Sequence, residues 1–525
     1  MYNLLTDPII TVKLLNGSQS RISLPETFAL LGEDQIAGFA RLLPHQRHAW
    51  HALCVQLACL ALEGSPLPEL GENPCLLGLH GTDWWAGALR RLTSAYEQDE
   101  PWSLVVADIA KPAFLQPPVM DGSLAGWTGV KESPDDLDIL ITSKNHGVKQ
   151  SRMNAHAVED WLFALVSVQT QGGYEGSGLY GIARMNGGSG TRPGFSLVAG
   201  PTPGGQWSRD ARVILDNPDS LAPDLFTNVP NIPINPERVL LWLNAWDGKT
   251  SLSLADLHPL FVEICRRIRL EDRGASLLAH YNKTSCMRLD SKPFKGIVGD
   301  PWIPVHSGKN EAFGNSLPTY RKLNTLLGKG EYTRPLLMRH HPCDPLMGMA
   351  VQCRILLRGI GKTNGYRERL IPIAGQAIQW NMDRTGEMAA IMVSLADKAE
   401  KDVLLPALEV FLSRGGGAVA ACIQALDRDV DEIFFPSLWA MLDRQEQGVD
   451  SGEAEQLWID ALRELSEKHF WAALRALPCA AAFRLRAEAE ASRLFMVLRN
   501  RQLPRAVHGN DNAGPSGHEA GQAPD

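Results

Sequence analysis

Cysteine is scarce and shows no pairing pattern. The nine residues, Cys54, Cys59, Cys75, Cys265, Cys286, Cys343, Cys353, Cys422 and Cys479, are scattered, odd in number and form no CxxC pair. That excludes a disulfide scaffold and leaves no zinc-ligand spacing, so reduced, mostly buried thiols in a cytoplasmic protein are expected. Long apolar runs are missing as well. The longest, around residues 52–62, is interrupted by Gln56 and is too short to span a bilayer, so no membrane partner is expected. The opening MYNLLTDPII has no basic stretch followed by an apolar core, and therefore no visible secretory signal. With 44% hydrophobic and 21% charged residues the composition is ordinary, and 525 residues imply two or three domains.

Catalytic motifs are also missing. Gly361-Lys362-Thr363 invites a phosphate-loop reading, but the required glycine five residues earlier is Leu356. Gly176-Ser177-Gly178 is not a GxSxG nucleophile elbow. His340-His341-Pro342-Cys343 offers soft ligands, yet adjacent histidines point apart in a strand and no second pair follows at metal spacing. His45, His48 and His51 fall at i, i+3 and i+6 of one helix and read as partly exposed. Asp135, Asp136 and Asp138 precede residues 139–143 and read as turn formers. They keep a metal-dependent nuclease open as an alternative, which would need further carboxylates converging from elsewhere. No cofactor and no metal are expected.

What the chain does have is an uneven distribution of charge. Its formal net charge is −8, yet residues 265–369 hold 19 Lys/Arg against 8 Asp/Glu, a local net of +11. A basic block in an otherwise acidic protein attracts a polyanion locally while the whole stays soluble. Three stretches suit such a partner. Residues 143–152, with Lys144, Asn145, His146, Lys149 and Arg152, form a polar, basic segment without apolar period, suited to phosphate contacts. Thr319-Tyr320-Arg321-Lys322 places an aromatic and two cations on an expected turn, where the ring could stack on a base. Arg354, Arg358, Lys362, Arg367 and Arg369 extend the basic run.

The expected fold class is α+β: a large mixed α/β domain with long loops over residues 1–380, a four-helix bundle over 386–501, and a disordered tail over 503–525. Residues 9–15, Asn16-Gly17 and residues 20–24 read as strand, tight turn and strand. Pro44 opens a helix to about Leu62, Thr82 can cap another through about Tyr96, and residues 158–168 form a third. Leu5-Thr6-Asp7-Pro8-Ile9-Ile10 is echoed by Val298-Gly299-Asp300-Pro301-Trp302-Ile303, each leading to a short strand. Twelve glycines crowd residues 171–205, among them Gly172, Gly173, Gly176 and Gly178. Such a segment is either a flexible loop or a surface where backbone approaches a ligand closely. Four amphipathic stretches follow, 387–414, 418–445, 453–477 and 480–501, with Pro406 expected to kink the first.

In its order of features the chain resembles the CasA-type (Cse) large subunit of the type I-E CRISPR surveillance complex, Cascade. The resemblance is carried by residues 3–12, Phe114-Leu115-Gln116, residues 138–146, the glycine-rich stretch, residues 258–266 and the helical C-terminal part. It covers nearly the full length, and it lies in the succession of motifs, none diagnostic alone. It implies a non-catalytic subunit that reads a short protospacer-adjacent motif in double-stranded target DNA and starts strand separation. It also implies contact with the guide RNA and with other Cascade subunits, and recruitment of a nuclease-helicase. By position, the motif-reading glycine loop resembles Gly172-Gly173-Tyr174-Glu175-Gly176-Ser177-Gly178. The guide-contacting loop resembles residues 143–152. The wedge, a hairpin tip, resembles residues 317–323, with Arg321 and Lys322 where relatives can carry glutamine. Lys283 or Lys292 would be the lysine that reaches the motif. A scaffold that binds only protein partners is a further alternative.

Overall fold

The computed structural model describes residues 2–65, 77, 80–139, 156–185, 192–218, 238–274, 276–306, 309–310, 318–327, 332–345, 348–359, 362–373, 382–412 and 417–505. The chain forms two compact units, Met1–Gly386 and Glu387–Asp525. The first mixes helices and small sheets and the second is helical, so the fold is α+β.

The first unit starts with β1 (Ile10–Leu14) and β2 (Gln19–Ile22), an antiparallel hairpin. Gly17 takes φ +84° at its turn, and Asn16 Oδ1 accepts the Ser18 backbone N–H. Helix α1 (Leu24–Gly32) follows, capped by Ser23 with Pro25 in its first turn. It leads to β3 (Ile36–Phe39), which completes a sheet of order β2-β1-β3. A 3-10 turn at Pro44–Gln46 opens α2 (Arg47–Leu62). This helix is apolar on nearly every side, and 14 of its residues are buried. Around it pack α3 (Thr82–Arg91), α5 (Val158–Gln171) and α6 (Pro203–Leu215); the short α4 (Pro134–Leu137) packs on α5. The N-cap of α3 is Gly81, one residue before the expected Thr82.

Because α2 is central, His48 is buried, as is His45 in the turn before it, whereas His51 stays partly exposed as the spacing suggested. His45 bonds Asp138 Oδ2 at 2.6 Å, His51 bonds Asp210 Oδ2 at 2.8 Å, and His48 packs edge-on to Trp302. The histidine spacing marked a helix correctly but could not reveal that most of its surface is covered.

The remaining strands build four small sheets. β4 (Gly129–Lys131), β7 (Arg267–Asp272) and β8 (Leu277–Asn282) align in the order β4-β8-β7. β5 (Gly194–Val198) pairs with β13 (Ala350–Gly359), which forms a long antiparallel hairpin with β14 (Lys362–Pro372). β6 (Leu252–Ser253) runs parallel to β9 (Leu289–Asp290). β10 (Val305–His306) lies between β11 (Lys309–Asn310) and β12 (Tyr332–Thr333), and α7 (Tyr320–Leu327) packs on β12. Both copies of the echoed motif lead into such strand pairs, and in each the aspartate accepts a nearby backbone N–H, Asn3 to Asp7 and Trp302 to Asp300.

Helix α8 (Met382–Asp397), most of which belongs to the second unit, continues through a π-helical segment, Lys398–Leu404, into α9 (Leu405–Leu412). The irregular turn precedes Pro406, whose missing N–H cannot close a regular helix there. Then follow α10 (Gly417–Glu446), α11 (Ser451–Ala476) and α12 (Ala481–Gln502). Helix α10 runs through Pro436, a residue that gave no break. Trp458 donates to Met392 O, and Phe470 stacks on Phe495 at 4.3 Å. From residue 506 the expected disordered tail lies outside the described residues.

Eight cysteines are described, all free; Cys75 lies outside the described residues. Burial pushes the Cys54, Cys59 and Cys353 thiols up, and that of Cys265 up to about 11, so these are inert packing groups. Among the described residues no helix is long and apolar enough to cross a membrane.

Candidate nucleic-acid interface

The glycine-rich loop begins where α5 stops. Gly172 N–H closes the helix onto Val168 O at 3.2 Å. A Cβ at Gly172 would lie 2.5 Å from that carbonyl and 3.3 Å from Cys265 Sγ, so this position admits only glycine. Below the loop, the buried Gln169 carboxamide donates to Leu115 O and Arg266 O and accepts the N–H groups of Cys265 and Arg266. Arg266 is buried too, and donates to Gly173 O at 2.6 Å. One glutamine and one arginine thus fix where the loop leaves the body.

Beyond this anchor the loop reverses in a tight turn. Glu175 N–H donates to Leu179 O and Leu179 N–H to Gly176 O, with Gly176 at φ +131° and Gly178 at φ +84°. Thr284 N–H then donates to Gly178 O at 2.9 Å. A Cβ at Gly178 would lie 2.7 Å from Lys283 Cβ. The glycine lies against the stem of Lys283, whose side chain is exposed just past the end of β8. Tyr174 and Ser177 are exposed on the turn. The neighbouring sheet adds two cations, Arg267 over the Trp127 ring at 4.9 Å and Lys131 at 5.7 Å from the Tyr281 ring. A glycine-rich turn, one exposed lysine and flanking cations suit close contact with the edge of an anionic duplex.

The other sequence-predicted residues divide. Lys292 is exposed on the turn Lys292–Phe294, whereas Lys283 is the lysine that packs on the loop. Tyr320, expected to stack on a base, is fully buried, because it begins the apolar face of α7 with Leu323 and Leu326. Arg321 and Lys322 are half-buried on that helix, with the Arg321 guanidinium 4.8 Å from the Tyr320 ring. Residues 320–327 are therefore helical and do not form the tip of a hairpin. Lys144, Asn145, His146, Lys149 and Arg152 lie outside the described residues.

The basic block contributes less to the surface than its count implies. Arg266, Arg269 and Arg288 are buried, and burial pulls the last two guanidinium groups down to about 10. Arg288 donates to Leu241 O and Asn244 O. Arg184 and Arg192, before the block, pair with Asp300 inside it at 2.9 and 2.7 Å. Sequence counting cannot separate such interior cations from exposed ones.

The aspartates that kept a nuclease open are used otherwise. Asp138 is buried and accepts from Gln46 besides bonding His45, while Asp135 and Asp136 sit in the first turn of α4 behind its Ser133 cap. His341 bonds Cys343 Sγ and Asp216, a local structural contact. Among the described residues no group of three or more His, Cys, Asp or Glu could hold a metal ion.

No protein-family model and no curated protein matches the sequence. Solved structures do match over almost the entire chain. Thermobifida fusca Cse1 superposes with a TM-score of 0.64 at 17% identity, covering 96% of this chain and 98% of that one. Thermus thermophilus CasA (Cse1) gives 0.63 at 16% identity, with 95% and 99% covered. A chain of a CRISPR RNA-guided surveillance complex gives 0.58 at 13% identity, with 95% and 99% covered. The resemblance read from the succession of sequence motifs is thus a resemblance of fold, and the chain folds as the Cse1 (CasA) proteins do.

Proposed function

We propose that this chain is the non-catalytic large subunit of a type I-E CRISPR RNA-guided surveillance complex, which recognises a short protospacer-adjacent motif in double-stranded DNA. The observation that carries this reading is the contact of Gly178 with Lys283, which puts a glycine-rich turn and an exposed donor at one place. The minor groove offers only acceptors at A·T pairs and one added donor at G·C, so backbone groups and a single lysine suffice for a short, degenerate tag. Guide pairing would read the rest of the target.

Duplex opening in this reading needs a projecting element. Since residues 320–327 are helical, the antiparallel hairpin of β13 and β14 is the better candidate for the wedge. The guide-contacting role stays with residues 143–152. The helical unit would engage other subunits, and the nuclease-helicase would supply the cleavage this chain does not perform.

The assembled complex should bind motif-bearing duplex at least tenfold more tightly than motif-free duplex at physiological salt. The chain alone should leave DNA uncut in Mg²⁺ or Mn²⁺. Equal affinities, or cleavage by the isolated chain, would contradict the proposal.

A further inference from the structure

Beside the base of the β13–β14 hairpin, the first unit contains a cavity of about 480 Å³ that the proposed function does not use. That volume falls within the range of pockets that hold small organic molecules. Its walls come from β3, α2, the start of α6 and the two hairpin strands. Hydrogen bonds that are buried or partly buried hold these walls together. Gln206 of α6 donates to Gln352 of β13 at 3.1 Å, and Asp34 accepts from Thr202 and from Gly205 N–H. The cavity therefore exists before any ligand arrives.

Its lining has two chemical parts. Phe39, Trp50, Trp207 and Val198 supply an apolar, largely aromatic part. Lys13, Arg47 and Arg354 supply three permanent cations against one carboxylate, Glu368. Glu368 is already engaged by Gln352 at 2.7 Å and by Arg354 at 3.2 Å. Lys13 and Arg47 are exposed, and among the described residues neither side chain has a hydrogen bond or ion pair. The excess of cations selects a negative group, and the aromatic part selects a flat apolar body. Gly38 leaves room for it. A Cβ there would meet no atom within 4 Å, and it pairs across the sheet with Lys13.

We infer that this cavity binds a small aromatic anion, its ring against Phe39 and the tryptophans and its charge at Lys13 and Arg47. The inference is independent of the DNA reading, because its test detects ligand and no nucleic acid duplex.

The experiment titrates the full chain with 8-anilinonaphthalene-1-sulfonate, followed by fluorescence, in wild type, Gly38→Leu and Arg47→Glu. Saturable one-to-one binding is expected, lost in Gly38→Leu and weakened about tenfold in Arg47→Glu. Arg47 is exposed, so its variant should melt as wild type does. Displacement by adenosine 5′-monophosphate but not adenosine would support a phosphate-bearing ligand. Displacement by 1-naphthoate but not the nucleotide would support a carboxylate. Absence of saturable binding, or binding unchanged in both variants, would overturn the inference.

Discussion

Single residues carry the sharpest consequences. At Gly178 a side chain would meet both a positive φ and the Lys283 stem, so Gly178→Val must move the loop off that lysine. At Gly176 the space is open and only the backbone conformation resists substitution. His48 makes a separate prediction. Burial, and then the nearby Arg192, hold its imidazole well below the ordinary value. The unfolded chain, with histidine near 6.5, then binds more protons than the folded one below that pH. Stability should be complete above about pH 6.5 and fall as the pH drops through it, by at most about 1.4 kcal/mol per unit. Urea unfolding at pH 7.5 and 5.5 should show a smaller pH dependence in His48→Gln than in wild type; an identical dependence would refute this. Glycine density and the basic segment drew attention to Gly176, Gly178 and Lys283 in the sequence, but not to which of Lys283 and Lys292 packs on the loop. The sequence hid Gln169 and Arg266, whose role is to hold a loop from below, and it misjudged Tyr320, whose burial depends on what α7 packs against.

At the scale of elements, helices with strong apolar patterns were readable to within a few residues, and the pair β1–β2 was readable from Asn16-Gly17. The expected interruption at Pro406 is present as a π-helical segment just before it, whereas α10 runs through Pro436, since a long packed helix absorbs a missing N–H. The helix at residues 320–327 was read as a turn for a related reason. A basic, aromatic segment after Pro318 looks like a turn, whereas the β13–β14 pairing rests on cross-strand partners such as Arg354 and Glu368, visible only after folding. The relocation predicts that Arg358→Ala with Lys362→Ala slows duplex opening, read as 2-aminopurine fluorescence beside the motif, more than Arg321→Ala with Lys322→Ala does. The reverse order would return the wedge to α7. In the helical unit, buried Arg463 donates to Arg499 O, Leu503 O and Asn500 Oδ1, tying α11 to α12. Arg463→Met should destabilise this unit by about 2–4 kcal/mol in thermal unfolding, since three acceptors lose a charged donor.

For the whole molecule, the contrast between a net charge of −8 and a local +11 raised the expectation of a polyanion partner, but the folded chain spends several of those cations internally. What remains exposed around the glycine loop is small, chiefly Lys283 just past β8 with the half-buried Lys131 on the neighbouring strand, so DNA affinity of the isolated chain should be weak. The most direct test measures binding of the assembled complex to motif-bearing and motif-free duplex, with wild type, Gly178→Val and Lys283→Ala as the large subunit. Both variants should assemble with normal guide-RNA content and lose about 1–3 kcal/mol of preference for the motif, which is roughly a tenfold to hundredfold drop in the affinity ratio. Full motif preference in both variants would contradict the account.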